Sequence, residues 1–181
     1  GVSLESVVQR SVNDESAEAT SRGVEVQLTF DAEGARCRLD PVLMECAVAN
    51  LVRNAVAVSK RGQLVTIACE RAAGPDGAPG FRVTVEDQGP GVPPAIRATV
   101  FDAFVTHEVP TSGKAIGVGI GLALAREVAR AHAGDLTLVE EWAGTGARFE
   151  HVGEINRLDC MQIGFDDIDI HRLFKIGQAD F

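Results

Sequence analysis

One stretch of the sequence, ECAVANLVRNAVAV (residues 45–58), limits the possible folds more than any other. It is almost entirely apolar and reads as a buried helix, yet Asn50 and Asn54 lie four positions apart within it. Asparagine is a mediocre helix former and is costly to bury without hydrogen-bond partners. Residues four apart lie one turn apart on the same side of a helix. The stretch therefore predicts a core helix with one polar edge that faces a crevice.

The pattern of apolar residues around this helix predicts an α/β domain. Helical spacing and end signals predict helices over 3–22, from Asp40-Pro41 to about 58, and over 122–134 with Gly134 as the C-terminal cap. Alternation predicts strands over 24–30, 63–70, 81–87, 135–141 and 147–152. The turn-rich stretch 72–80 predicts a hairpin loop, and 101–121 reads as a long loop. Hairpins that alternate with helices favour a two-layer α/β sandwich whose mixed sheet is covered on one face.

Composition excludes several classes of function. The net charge of -9 argues against a nucleic-acid partner, although backbone amides and a metal ion can still hold a nucleotide. The sequence has neither an uninterrupted apolar run of roughly 18–20 residues nor a basic leader with an apolar segment. We therefore expect a cytoplasmic segment without membrane contact. The four cysteines show no metal-like spacing, and three lie in apolar or strand-like contexts that favour buried free thiols.

The segment VEDQGPGVP (residues 85–93) is a first candidate for ligand binding. A strand delivers Asp87 to its end, and Gly89 and Gly91 follow at alternate positions. Glycines allow a ligand to approach the backbone closely, and the carboxylate can accept a hydrogen bond from an exocyclic amine such as that of adenine. Taken alone, the segment is better explained as an ordinary turn that contains an aspartate.

Two further features are candidates for binding phosphates and a metal. Gly117, Gly119 and Gly121 lead into a helix, whose unpaired N-terminal amides suit a phosphate, although a flexible hinge explains the glycines equally well. The oxygens of Asn50 and Asn54 suit Mg²⁺, which accepts few protein ligands and takes the rest from water and phosphate. The alternative is that both amides cap nearby backbone.

In this order, the asparagine helix, the DxGxG turn, FDAF (residues 101–104) and the GxGxGL helix start resemble the boxes of the histidine kinase catalytic domain. That domain belongs to the Bergerat-fold ATP-binding proteins (gyrase, Hsp90, histidine kinase, MutL). The resemblance runs from about residue 4 to 149. It implies a two-layer sandwich with a mixed, mainly antiparallel sheet, helices on one face and a mobile ATP lid. It also implies a catalytic domain over 1–150 and leaves the apolar tail, 151–181, without a role.

The resemblance implies a role for each matched residue. Asn54 would coordinate Mg²⁺, Asn50 would face the phosphates, Asp87 would read adenine, and Asn50 and Lys114 would act in catalysis. GTGARF (144–149) is similar to the final strand behind the base. The implied ATP-binding residues are Asn50, Asn54, Asp87, Gly89, Gly91, Val92, Phe101, Phe104, Lys114, Gly117, Gly119, Gly121 and Leu122.

The first asparagine also separates the branches of this family. Hydrolysing branches carry a glutamate there as general base, whereas the Asn50 amide cannot take a proton from water. An amide suits a kinase that holds ATP until a protein nucleophile arrives. The resemblance thus implies the catalytic domain of a two-component sensor histidine kinase. It would transfer the γ-phosphoryl group of Mg-ATP to a histidine on a separate dimerisation hairpin and serve a response regulator.

Two residues depart from the usual histidine kinase motifs and leave an alternative function open. Ala57 stands where many sensor kinases have a charged residue, and Glu108 lies near the expected lid lysine. A degenerate nucleotide-binding or partner-binding regulatory module is the alternative, and a serine kinase of the anti-sigma type is a weaker third. None of the four histidines fits a phosphoacceptor; His132, near a helix end, is expected to be a cation that interacts with the helix dipole.

Overall fold

A computed structural model describes residues 1–31, 36–74, 77–105, 119–140 and 144–154. The four helices in this part of the chain are α1 (Leu4–Arg22), α2 (Pro41–Val58), α3 (Pro94–Arg97) and α4 (Gly121–Ala131). The strands are β1 (Val2–Ser3), β2 (Glu25–Asp31), β3 (Arg36–Cys37), β4 (Leu64–Ala73), β5 (Pro79–Glu86), β6 (Asp135–Leu138) and β7 (Arg148–Glu154).

Helix α2 begins and is buried as its sequence predicts. Asp40 accepts hydrogen bonds at Oδ1 from the amides of Val42 (2.8 Å) and Leu43 (2.9 Å), and Pro41 occupies the first turn. Eight of its side chains are buried: Leu43, Met44, Ala47, Val48, Leu51, Val52, Ala55 and Val56. Asn50 and Asn54 remain partly exposed at its border. The predicted core helix with a polar edge is confirmed.

The same helix is long and apolar enough to cross a membrane by length and composition, with a mean hydropathy of 1.3 over 18 residues. The expectation drawn from uninterrupted apolar runs missed this, because the two asparagines and an arginine break the run. In the folded domain α2 lies between α1 and α4 and contacts β4 and β5. Its apolar residues are therefore those of a core helix.

The main sheet has five strands in the order β2-β4-β5-β7-β6. Strands β2 and β4 are parallel, with Glu25 opposite Leu64, and the other pairs are antiparallel. Helix α1 contacts β2, α2 contacts β4 and β5, and α4 contacts β6 and β7. Because α1 and α4 also flank α2, the helices form one layer on one face of the sheet. The predicted two-layer sandwich with a mixed, mainly antiparallel sheet is confirmed.

The end of α4 differs from its prediction. The left-handed residue is Ala133 (φ 57°), not Gly134, although the Gly134 amide does donate to the Ala129 carbonyl at 3.0 Å. A Cβ at Gly134 would overlap the carbonyl oxygen of Val152 on β7. Glycine is needed at 134 for close packing rather than for backbone reversal, so the assignment of Gly134 as the cap was wrong.

His132 is not the expected cation. It is 4% exposed, its Nε2 accepts from the Asp40 amide (2.9 Å), and its Nδ1 lies 2.7 Å from the Val128 carbonyl. Only the neutral ring protonated at Nδ1 satisfies both contacts. Burial lowers the pKa of His132, which agrees with this form. The ring joins the end of α4 to the start of α2.

Other differences are local. Helix α3, a single turn after a proline pair, was not predicted, and β4 and β5 extend further into the hairpin than 70 and 81. Cys37 and Cys69 are buried as predicted, and burial raises their pKa values to about 11 and about 12, but Cys46 is exposed. The predicted roles of Lys114, Gly117 and the tail after residue 154 lie outside the described residues.

Candidate functional site

A cavity of about 430 Å³ opens between α2, the turn after β5, α3 and the start of α4. Most of its wall is apolar. Its lining comprises Asn50, Arg53, Asn54, Ala55, Val58, Asp87, Pro90, Gly91, Val92, Pro93, Ile96, Val100, Val105, Gly119, Ile120, Gly121, Leu122, Ala147 and Phe149. An apolar cleft with a few convergent polar groups is typical of a small-molecule site.

Asp87 is the buried acceptor in this wall. Its side chain is 4% exposed, and Oδ1 accepts from the amides of Gly89 (2.8 Å) and Ala147 (3.3 Å). Burial raises the pKa of Asp87 to about 6, and the two amide hydrogen bonds limit the rise. Both amides use Oδ1, so neither engages Oδ2. The structure thus holds a desolvated carboxylate with an oxygen available to a ligand that donates a hydrogen bond.

Glycines make the wall behind Asp87 possible. Gly146 has φ +88°, and a Cβ there would overlap the Asp87 carbonyl oxygen and lie 2.6 Å from Oδ1. Gly91 has φ +74°, and its Cβ would lie 2.9 Å from the Gly146 carbonyl oxygen. The segments around residues 87–91 and 146 therefore pack backbone against backbone. This contact orients the carboxylate toward the cavity.

Asn50 and Asn54 both lie on α2, and both line the cavity. Asn50 Oδ1 accepts from Arg53 Nη1 at 3.4 Å, and Asn50 Nδ2 lies 3.8 Å from Cys46 Sγ. No hydrogen bond among the described residues uses the Asn54 side chain. Amide oxygens are suitable ligands for Mg²⁺, and the described residues contain no cluster of three His, Cys, Asp or Glu side chains as an alternative metal cage. The donor set fits an ion that keeps most of its ligands from water and phosphate.

Arg53 was missed by the sequence reasoning. Glu15 of α1 accepts from its Nη2 (2.5 Å) and Nε (3.3 Å), and this hydrogen bond raises the pKa of Arg53. Among the described residues that line the cavity, it alone carries a full positive charge. Arg53 lies three residues after Asn50 and therefore on a neighbouring side of α2. This spacing could have indicated that Arg53 also lines the cavity.

The start of α4 presents backbone amides to the cavity. Gly121 is the first residue of the helix, no side chain caps its N-terminus, and a Cβ at Gly121 would lie 3.4 Å from Asn50 Oδ1. The Phe104 amide donates to the Gly119 carbonyl (2.8 Å), which brings together the two ends of segment 105–119. Unpaired amides and the helix dipole favour an anion next to the asparagines.

Phe101 supports the wall from behind. Its ring meets that of Phe149 edge-on, with centroids 6.0 Å apart, and Phe149 lines the cavity. The Arg126 guanidinium lies 4.6 Å from the centroid of the Phe101 ring and pairs with Asp135 (2.9 Å). Phe101 thus acts on the cavity through Phe149.

The structure gathers most of the predicted residues. Eight of them line the cavity: Asn50, Asn54, Asp87, Gly91, Val92, Gly119, Gly121 and Leu122. Gly89, Phe101 and Phe104 lie outside the lining, and Gly89 contributes through the hydrogen bond that its backbone N–H donates to Asp87 Oδ1. The apolar members of the lining from α3 and its flanks, such as Ile96 and Val100, were not predicted.

Comparisons with known proteins give a family match and similar solved structures. The family profile described as "Histidine kinase-, DNA gyrase B-, and HSP90-like ATPase" matches residues 39–154. The sensor-like histidine kinase SenX3 of Mycobacterium tuberculosis is 31% identical over 150 residues, which are 82% of this chain and 34% of SenX3. This chain therefore spans about a third of the length of that relative.

Two solved structures share the fold. The mycobacterial sensor histidine kinase MprB superposes with a TM-score of 0.66 at 24% identity, covering 86% of this chain and 97% of the MprB chain. The catalytic domain of histidine kinase ThkA superposes with a TM-score of 0.70 at 19% identity, covering 85% of this chain and 95% of the ThkA chain.

Proposed function

The chain belongs to the family of histidine kinase-, DNA gyrase B- and HSP90-like ATPases, and on that premise we propose that it is the ATP-binding catalytic domain of a two-component sensor histidine kinase. It transfers the γ-phosphoryl group of ATP to a histidine on a separate dimerisation hairpin. We propose that this domain comprises residues 1–150 and the remainder of β7, which ends at Glu154, and that it lies in the cytoplasm within a longer dimeric protein that serves a response regulator.

The observation that carries the proposal is Asp87 at the wall of an apolar cavity. A buried carboxylate whose Oδ1 is occupied by two amides can offer Oδ2 to the adenine amine, while the apolar wall contacts the faces of the base. A guanine base has a carbonyl oxygen at the same ring position, and this would face Oδ2 with no proton between them. The cavity therefore favours adenine over guanine.

The phosphates extend from the base toward Gly119, Gly121 and the start of α4. There the helix amides donate to phosphate oxygens. Asn54, with its uncommitted amide, would hold Mg²⁺, which would neutralise charge on the phosphate oxygens. Asn50, next to Gly121, would orient the terminal phosphates.

The identity of residue 50 supports transfer over hydrolysis. An amide cannot accept a proton from water at neutral pH, and Asp87 is engaged at the other end of the cavity. Among the described residues that line the cavity, Asp87 is the only carboxylate, and none is a histidine. Bound ATP is therefore expected to persist until a nucleophile is supplied. Phosphoryl transfer depends mainly on positioning and electrostatics, which this site can provide.

The experiment is to incubate the chain with Mg-ATP and the histidine-bearing hairpin of the same kinase. Acid-labile, alkali-stable phosphate on the hairpin is the expected product. A hairpin whose histidine is replaced by glutamine is the control and should remain unlabelled. ATP binding without any transfer would refute the kinase function and leave the regulatory module, which the uncharged Ala57 of α2 favours.

A further inference from the structure

The ion pair between Arg53 and Glu15 lies at the cavity but has no part in the function proposed so far. The chain has a net charge of -9, and ATP adds several negative charges that must be balanced locally. Helix amides and one Mg²⁺ supply part of this balance. Among the described lining residues, Arg53 is the cation available for the rest.

The guanidinium is oriented for such a role. Arg53 donates hydrogen bonds to both carboxylate oxygens of Glu15, from Nε to Oε2 at 3.3 Å and from Nη2 to Oε1 at 2.5 Å. Nη1 lies on the other side, 3.4 Å from Asn50 Oδ1. Arginine carries five N–H donors in a planar fork, so the bidentate contact with Glu15 fixes the plane and leaves donors directed toward Asn50.

The burial of the two partners is unequal. The Glu15 side chain is 9% exposed, whereas that of Arg53 is 57% exposed. The carboxylate thus lies in the interface between α1 and α2, and the guanidinium extends from it to the cavity mouth.

If the Arg53–Glu15 ion pair served only to join α1 and α2, neither residue would need to line the cavity, yet Arg53 does. Arg10 and Glu45 already form such a cross-helix ion pair, and neither residue lines the cavity. The Arg10–Glu45 pair therefore provides a matched reference for the purely structural role.

We propose, resting on the function above, that Arg53 binds the terminal phosphate groups of ATP and that Glu15 is the positioning residue that holds its guanidinium toward Asn50. Adenine lies at Asp87, and only a ligand whose phosphate chain is long enough reaches Arg53 at the other end of the cavity. The site therefore discriminates ATP from shorter adenine ligands through this side chain.

The test is calorimetric titration of ATP, ADP and adenosine into the whole chain with Mg²⁺ present. For Arg53→Gln we expect ATP affinity to fall about tenfold, which is the scale of one charge-assisted hydrogen bond. ADP affinity should fall less, and adenosine affinity should stay within about twofold of wild type. Arg10→Gln removes the same charge from a cross-helix pair outside the cavity and should bind all three ligands as wild type does.

Two more variants keep the test independent of folding. Arg53→Gln leaves Glu15 buried without its partner, so the double variant Glu15→Gln/Arg53→Gln removes that penalty and should show the same selective loss of ATP affinity. Glu15→Gln alone should weaken ATP severalfold without changing adenosine, because the guanidinium remains but loses its orientation.

Wild-type ATP affinity in both Arg53 variants, or an equal loss for ATP, ADP and adenosine, would overturn the inference. Either result, with ATP bound by wild type and phosphate transferred to the hairpin, would leave the proposed function intact. Failure of wild type to bind any adenine ligand would refute the proposed function and this inference together.

Discussion

Replacing Asp87 with asparagine separates the ligand-binding role of this residue from its structural role. Asparagine keeps an oxygen that can accept from the amides of Gly89 and Ala147. It replaces the second carboxylate oxygen with an NH₂ group that would face the adenine amine, donor against donor. The substitution therefore preserves the wall of the cavity and opposes the base.

The magnitude follows from the burial of the carboxylate. The pKa of Asp87 is raised from 3.8 to about 6 in the folded state, a difference of roughly two units, which corresponds to about 3 kcal/mol. Because the folded pKa is the higher one, this penalty is absent below pH 3.8 and complete above pH 6. Asp87→Asn removes the penalty, so at pH 7.5 the variant without ligand should equal wild type in stability or exceed it by up to about 3 kcal/mol.

Urea unfolding at pH 7.5 and pH 4.5 measures this difference, and titration with ATP at pH 7.5 measures binding. The stability advantage of the variant should shrink at pH 4.5, where wild-type Asp87 is protonated. ATP affinity should fall by about 2 kcal/mol, roughly thirtyfold. A variant that is less stable than wild type by more than about 1 kcal/mol, or that binds ATP as tightly, would refute this reasoning.

Three further substitutions test the backbone contact behind Asp87, a buried histidine of the sheet and the proposed metal ligand. Gly146→Ala places a Cβ against the Asp87 carbonyl at positive φ and should lower the free energy of unfolding in urea by about 3 kcal/mol. Gly77 is also at positive φ but a Cβ there would have no atom within 4 Å, so Gly77→Ala should lower it by only about 1 kcal/mol. Equal losses in the two variants would contradict the backbone contact at Gly146. His151 is buried, and burial lowers its pKa from 6.5 to about 4. Wild type should therefore lose about 3 kcal/mol of unfolding free energy between pH 6.5 and pH 4 relative to His151→Leu, and parallel pH profiles for the two proteins would exclude this. Asn54→Asp adds a negative charge beside the phosphates and should weaken ATP binding in EDTA far more than in excess Mg²⁺, measured by titration; an unchanged Mg²⁺ dependence would remove Asn54 from the metal site.

Local signals in the sequence account for most of the fold. The cap and proline at Asp40-Pro41 set the start of α2, and its apolar spacing sets the buried face. Strand alternation identified all five strands of the main sheet, because inward side chains in β4 such as Val65, Ile67 and Cys69 alternate with outward ones. These features depend on neighbouring residues and so can be read along the chain.

The parts that were missed or wrong depend on distant residues. Glu15 and Arg53 are 38 positions apart, so their pairing follows only from the packing of α1 on α2. The need for glycine at 134 comes from the Val152 carbonyl on β7, and the left-handed residue at the end of α4 is Ala133. His132 is neutral because the fold brings the Asp40 amide to its Nε2. The spacing of residues in the sequence does not predict any of these contacts.

The candidate site shows the same division. Short motifs identified residues that meet at the cavity from three separate segments, since each motif carries its own local chemistry. The apolar lining contributed by α3 could not be predicted, because its residues have ordinary sequence contexts and reach the cavity only through tertiary packing.

Adenine binding at Asp87 is the central claim, and a crystal structure of the chain with a non-hydrolysable ATP analogue tests it most directly. We expect the adenine amine within hydrogen-bond distance of Asp87 Oδ2, with the phosphates running toward Gly121 and Asn50. A nucleotide bound with its base elsewhere, or with its phosphates at Asp87, would contradict the account.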